Sequence, residues 1–262
     1  MNELTVLLPA YNEEGNLEVL IEKWQELSIP LREKFALSLH IVVVNDGSSD
    51  KTKSIGEKLE NKYHNFTLIN HTQNRGLGEV LKTAITYIIK NRPDSIFACL
   101  MDCDNTHDPK YIMDMLDKTC LRNESSYADI VIASRYQKGS CVKGLSKHRI
   151  MISNCAKCVY HFLFNVKGVK DYTCGYRLYT NEILKKGVKY FGDKLVEETG
   201  FSCMAELLYK LSIIGASFSE VPFELRYDYK QGKSKMNVFS TSLKSINLAF
   251  RLRRLRYKGD TI

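Results

Sequence analysis

Leu39-His40-Ile41-Val42-Val43-Val44-Asn45-Asp46-Gly47-Ser48-Ser49-Asp50 changes character once, after Val44. Up to that point apolar and β-branched residues run almost unbroken, as in a strand covered on both faces, and beyond it every residue is polar or glycine. The same break recurs twice. Residues 4–8 run into Pro9-Ala10-Tyr11-Asn12-Glu13-Glu14, and residues 96–101 run into Asp102-Cys103-Asp104. Two further strands are expected at 66–69 and 130–133. Helical periodicity fills the gaps: Leu17, Leu20, Ile21 and Trp24 share one face, as do Val80, Leu81, Ala84, Ile85 and Ile88. Strands alternating with helices predict an α/β fold, a mainly parallel central sheet with helices on both faces. Ligands of such sheets bind beyond the carboxyl ends of the strands, so the three polar tips are expected to converge on one edge.

The chain has 262 residues, 44% apolar and 26% charged, which excludes disorder and fibrous repeats and suits one large domain. No apolar run approaches the roughly 18–20 residues of a bilayer span, and Met1 leads straight into a strand without a basic start or cleavage site. The expectation is a cytoplasmic protein whose eight cysteines stay reduced. Cys155 and Cys158 form one C-x-x-C in an apolar, helix-like stretch with no second pair, so they are read as small buried hydrophobes. Residues 134–147, with weak periodicity, are read as a loop near the site. A net charge of +8 suits anionic partners: nucleoside diphosphates, lipid phosphates, an acidic membrane face or nucleic acid. Nucleic acid is disfavoured, because the basic stretch 251–258 offers a single aromatic, Tyr257, where stacking platforms need several.

Asp102 and Asp104, two apart at a strand end, point the same way. Without a cation their charges repel; with Mg²⁺ or Mn²⁺ they make part of an oxygen shell that water and substrate phosphate complete. Taken alone, so short a pattern also reads as a solvated acidic turn.

The three tips in this order resemble those of the family 2 glycosyltransferases. That resemblance implies a GT-A fold, Rossmann-like in its sheet, and an inverting transfer of sugar from a nucleotide-sugar donor, UDP- or GDP-linked. It implies that Pro9, Tyr11, Asn12, Glu13 and Asp46 line the nucleotide pocket, Tyr11 against the base and Asp46 hydrogen-bonded to it, while Asp102 and Asp104 carry the metal. Asn74-Arg75-Gly76-Leu77-Gly78 before a helix fits the same family. Ala133-Ser134-Arg135-Tyr136, Arg149 with Ser153, Asp171-Tyr172-Thr173-Cys174-Gly175-Tyr176-Arg177-Leu178-Tyr179 and Gly232-Lys233-Ser234-Lys235 are similar to motifs of the polyprenyl-phosphate sugar synthases, the group that includes the dolichyl-phosphate mannose synthases. By that likeness Arg135, Arg149 and Ser153 hold the acceptor phosphate, Lys235 reaches the donor phosphates, and Asp104, Arg135 and Lys235 act at the reacting groups. Asp171 and Arg177 are read either as an ion pair shaping the acceptor side or as motif residues. Two positions depart from the pattern. Thr106 stands where the family often has the glutamine that completes the metal contacts, and Tyr229 stands where it often has an arginine, whose charge is assigned to Lys230 with Arg226 in reserve.

A lipid monophosphate, with its second pKa about 6, is largely ionised at neutral pH and needs no strong base, but it must approach a second anion. At 4 Å and an effective dielectric near 20 that costs on the order of 4 kcal/mol, so cations are expected along the approach. A sugar hydroxyl would instead need a carboxylate base, expected at Glu197 or Glu198, which also read as an exposed acidic turn. The domain is taken as 1–236, followed by a basic amphipathic helix over 237–262. There Phe239, Leu243, Ile246 and Phe250 make one stripe; Leu248, Leu252 and Leu255, flanked by arginines, make another, expected to face a membrane surface. The localisation that follows is peripheral, on the cytoplasmic face of a membrane; a dimer contact or a partly buried terminal helix remains the alternative.

Overall fold

The computed structural model describes residues 1–119, 127–145, 147–229, 248 and 250–253, with backbone alone at 147–150, 152, 155, 156 and 229. Its strands are β1 (Glu3–Ala10), β2 (Ser38–Asn45), β3 (Phe66–Asn70), β4 (Ser95–Leu100), β5 (Ile130–Ser134), β6 (Cys141–Lys143), β7 (Arg177–Thr180), β8 (Phe218–Pro222) and β9 (Glu224–Arg226). The helices are α1 (Leu17–Glu26), α2 (Ser28–Phe35), α3 (Thr52–Lys62), α4 (Leu77–Asn91), α5 (Ile112–Leu116), α6 (Lys147–Phe164), α7 (Asn181–Phe191) and α8 (Cys203–Ile213).

Seven strands form one sheet in the order β3-β2-β1-β4-β7-β5-β8. Four neighbouring pairs are parallel, and β7 lies antiparallel between β4 and β5. Strand β7 has only four residues, Arg-Leu-Tyr-Thr, too few for periodicity to announce it. The expected loop 134–147 contains β6, which pairs in parallel with β9 as a separate ribbon.

Every residue of β2 after Ser38 is buried, as its unbroken apolar run requires of a central parallel strand. The stripes foreseen on α1 and α4 are the faces that bury: Leu17, Leu20, Ile21 and Trp24 on one, Val80, Leu81, Ala84, Ile85 and Ile88 on the other. Full burial of one such side chain contributes about 1.5–3 kcal/mol, so these stripes hold the helices to the sheet.

Strand order reverses between β1 and β4, and there the registers align the tips. Ala10 pairs with Asn45, Asn45 with Asn70, and Met101 donates its amide to Leu7 O. Tyr11, Asp46, His71 and Asp102 therefore follow their strands at the same edge of the sheet.

Two expectations are corrected. Cys158 is exposed, because it stands on the outer face of α6 rather than in the core, while Cys99, Cys103, Cys141, Cys158, Cys174 and Cys203 are all free thiols. In the tail, Leu248 and Leu252 are buried at 2% and 1%, and Phe250 is 56% exposed. The stripe flanked by arginines is thus the one that docks, the reverse of the expected orientation; the remainder of 237–262 lies outside the described residues. No helix among the described residues is long and apolar enough to cross a membrane.

Candidate active site

The first two tips are sewn together by their own side chains. Asn12 takes a left-handed φ of 53°, donates its amide to Ser48 Oγ at 2.9 Å and accepts the Ser49 amide at 2.9 Å on Oδ1. The Glu13 amide donates to Thr52 Oγ1 at 2.8 Å, the Glu14 amide donates to Asp50 at 3.1 Å, and Glu14 accepts the Lys51 amide at 2.9 Å. The Glu13 carboxylate accepts Asn16 Nδ2 at 2.7 Å. Tyr11, half-buried, leads this sewn edge out of β1.

Asp46, which the family resemblance assigns to the base, is also engaged with the chain itself. Only 4% exposed, it accepts the Gly76 amide at 2.8 Å on one oxygen, and on the other the Arg75 amide at 3.0 Å beside His71 Nδ1 at 2.7 Å. Both oxygens build the turn that carries 71–76 over the sheet edge, and His71 Nε2 bonds Thr83 Oγ1 at 2.9 Å to pin that turn to α4. Gly47, at φ +65°, lets Gln73 pass so closely that a Cβ would stand 2.3 Å from its carbonyl carbon. Gly78 packs equally tightly against the segment 197–200, donating its amide to Thr199 O at 3.1 Å.

Asp102 and Asp104 follow β4. Thr106 is 3% exposed and its hydroxyl donates to Asp104 Oδ1 at 2.6 Å, with its amide on the same oxygen at 3.2 Å. The Thr106 hydroxyl, expected at the metal, hydrogen-bonds Asp104 and so orients it. Facing Asp102 is Gly175, where a Cβ would lie 2.8 Å from Oδ1; glycine leaves the carboxylate its room. Sequence reading passed over His107, whose sole signal was its place in the same polar tip. It is 5% exposed, and burial lowers its pKa against the pull of Asp102 and Asp104, so the ring is neutral.

Arg135, at the end of β5, forks onto Asp171, with Nε at 2.8 Å and Nη2 at 2.6 Å, and Nη2 also reaches Thr173 Oγ1 at 2.6 Å. Burial presses the Asp171 pKa upward, but the Arg135 charge and its hydrogen bonds outweigh it and hold the carboxyl below its ordinary range. The ion pair expected between Asp171 and Arg177 is therefore corrected: Arg177 is fully buried and donates to Met204 O at 2.6 Å and Tyr172 O at 2.7 Å, locking β7 to α8. Ser153 Oγ lies 2.8 Å from Tyr136 Oη, next along the chain from Arg135. Arg149 stands one turn before Ser153 on α6, its side chain outside the described residues, as are Lys230 and Lys235.

Glu197 and Glu198 are both committed. Lys210 Nζ donates to Glu197 at 2.7 Å, a hydrogen bond that lowers the pKa of that carboxyl. Glu198 accepts Ser202 Oγ at 2.8 Å and Arg251 Nη2 at 2.8 Å. Held by Lys210 in this way, Glu197 is a weakened base.

Polar tips meeting at a strand-order reversal, two acids after the fourth strand and an antiparallel seventh strand beside them define the GT-A class of nucleotide-sugar-dependent transferases. The chain belongs to glycosyl transferase family 2, whose family model matches residues 5–188. It is 28% identical over 236 residues to the polyprenol monophosphomannose synthase of Mycolicibacterium smegmatis, covering 88% of this chain and 80% of that one. It is also 28% identical over 204 residues to the dolichyl-phosphate beta-glucosyltransferase of Saccharomyces cerevisiae, covering 71% of this chain and 57% of the yeast enzyme. Among solved structures, glucosyl-3-phosphoglycerate synthase from Mycobacterium tuberculosis, in complex with Mg²⁺ and UDP, superposes with a TM-score of 0.66 at 17% identity, over 98% of this chain and 82% of that one. The mannosyltransferase PcManGT from Pyrobaculum calidifontis, in complex with GDP-Man and Mn²⁺, gives 0.53 at 18% identity over 97% and 70%. Those two likenesses are of fold.

Proposed function

We propose that this glycosyltransferase moves a sugar from a nucleoside-diphosphate sugar to the phosphate of a polyprenyl lipid. The observation that carries the reading is Arg135. Asp171 and Thr173 take up Nε and Nη2, and no hydrogen bond among the described residues engages Nη1, which leaves that NH₂ group for an acceptor phosphate on the side of Tyr136 and Ser153. The mycobacterial relative, matched over 88% of the chain, is a polyprenol monophosphate enzyme by name. The weakening of Glu197 as a base, and the engagement of Glu198 with Ser202 and Arg251, favour an acceptor that arrives ionised over a saccharide hydroxyl.

Asp102 and Asp104 fit a hard divalent cation such as Mg²⁺ or Mn²⁺. Among the described residues no cluster of three or more His, Cys, Asp or Glu forms, and two carboxylates leave the positions that water and a diphosphate occupy around such an ion. Once bound there, the cation would draw charge off the departing diphosphate. The chain's own residues do the rest. Thr106 fixes Asp104 through its hydroxyl, Gly175 keeps the space beside Asp102, and the sewn tips with Tyr11 form the nucleoside side of the site. Arg135 binds and orients the acceptor; Arg149, Lys230 and Lys235 are assigned to the phosphates from their place in the sequence. Peripheral contact with the cytoplasmic membrane face, where such a lipid would be met, is assigned to the exposed side of the tail at Phe250 and Arg253.

Incubation with UDP- and GDP-sugars, Mn²⁺ and a short-chain prenyl phosphate is expected to release nucleoside diphosphate and label the lipid. Labelling of a saccharide hydroxyl with none of the prenyl phosphate would overturn the proposal.

A further inference from the structure

Beside the paired acids lies a buried imidazole to which the reaction above gives no task. His107 stacks on Phe223, ring centroids 5.4 Å apart, and meets Tyr176 edge-on at 5.7 Å, so its ring is clamped in one orientation. In that orientation Nδ1 has no hydrogen-bond partner and faces Asp102 Oδ2 at 3.9 Å. On the far side Nε2 lies 3.9 Å from Cys174 Sγ.

The two neighbours set which nitrogen carries the proton. A thiol can donate to Nε2 or accept from it, whereas a carboxylate only accepts, so the tautomer that turns no lone pair toward Asp102 is the one protonated on Nδ1. A buried donor left unmade costs about 1–3 kcal/mol, and 3.9 Å is too long to count as made. Asp102 is the group within reach of that donor, and its side chain, 37% exposed, has room to move.

We propose that His107 is the positioning residue of Asp102: its Nδ1–H draws Oδ2 inward, fixes the carboxylate against Gly175, and presents the remaining lone pairs to the divalent cation. The inference rests on Asp102 being a cation ligand. Thr106 does the same for Asp104 from the other side of the tip, so each acid of the pair has its own hydrogen-bond donor.

The test is titration of the full chain with Mn²⁺ alone, followed by electron paramagnetic resonance, with thermal unfolding measured in parallel. H107F keeps the ring and its stacking and removes both nitrogens; H107N sets an amide N–H near the place of Nδ1. The expected result is a Kd for Mn²⁺ raised about 10–100-fold in H107F and largely restored in H107N. The Tm of the two variants is expected not to follow that difference. Should H107F fail to fold, H107Q, which leaves the Nδ1 position without a donor, takes its place in the comparison. Wild-type affinity in H107F or H107Q while D102N binds no Mn²⁺ overturns the role of His107 alone. Absence of Mn²⁺ binding in the wild type, or unchanged binding in D102N, overturns the cation reading and this inference with it.

Discussion

The guanidinium of Arg135 grips the carboxylate of Asp171 through two hydrogen bonds, 2.8 Å at Nε and 2.6 Å at Nη2, and Asp171 is completely buried. The pair joins the end of β5 to the segment before β7 across 36 residues of sequence. Its rigidity aims Arg135, and its integrity matters to the whole domain, because a buried charge without a partner is far costlier than the pair itself is favourable. D171N is expected to lower the unfolding free energy by about 3–5 kcal/mol in urea denaturation. Replacing both partners, D171N with R135M, is expected to recover part of that loss while abolishing transfer. A D171N protein within about 0.5 kcal/mol of wild type would show that solvent or another group takes over the pairing.

His40 supplies a pH dependence from the opposite end of the sheet. On β2, bonded to Thr67 Oγ1 at 3.1 Å, it has its pKa lowered to about 4 by burial and by the Arg92 charge, against the pull of Glu3. In the unfolded chain the imidazole titrates near about 6.5. Between those values the unfolded state binds more protons than the folded one, so this contribution is complete above the unfolded pKa and fades as pH falls toward the folded one. Urea midpoints measured across that window are expected to fall with pH in the wild type and to fall less steeply in H40Q. Equal slopes in the two proteins would remove His40 as the cause.

Legibility in the sequence followed the range of the interactions. The polar tips, the stripes on α1 and α4, and the parallel half of the sheet were readable because each is written in consecutive or helically spaced residues. The partner of Asp171 was not: Arg177 lies six residues away and looked the nearer choice, whereas Arg135 is joined to it by the pairing of β5 with β7. The bonds that Asp46 makes to the Arg75 and Gly76 amides, and Thr106 to Asp104, were not legible, since nothing local shows that a side chain will fold back in this way. The tail carried two apolar faces of similar strength, and composition could not say that Leu248 and Leu252 would be the ones to dock.

Thr106 separates orientation from ligation. Its hydroxyl, 2.6 Å from Asp104 Oδ1, is a donor in a pocket that admits little solvent, so T106V removes the hydrogen bond at nearly constant volume. The expected outcome is a kcat/KM lower by about 10–100-fold, with a matching rise in the Mn²⁺ concentration for half activity. T106S, which keeps the hydroxyl, is expected to stay near wild type. Full activity in T106V would show that Asp104 holds its position without this bond.

The tail offers a test of membrane contact that leaves the catalytic residues alone. Arg251 is spent on Glu198 at 2.8 Å, so its charge is partly neutralised by the protein, while Arg253 is exposed and Phe250 stands 56% exposed beside it. A basic side chain near an anionic surface contributes about 1 kcal/mol, roughly fivefold in partitioning, and added salt screens it. Vesicles containing phosphatidylserine are therefore expected to bind the wild-type chain more strongly than neutral vesicles do. R253A should weaken that binding several-fold at low salt and have little effect at high salt; F250A should weaken binding at both. Solution turnover of a short, water-soluble prenyl phosphate is expected to be unchanged in both variants, because neither residue touches the paired acids or Arg135. Equal binding of wild type and R253A to anionic vesicles would mean that the exposed face of the tail serves another partner.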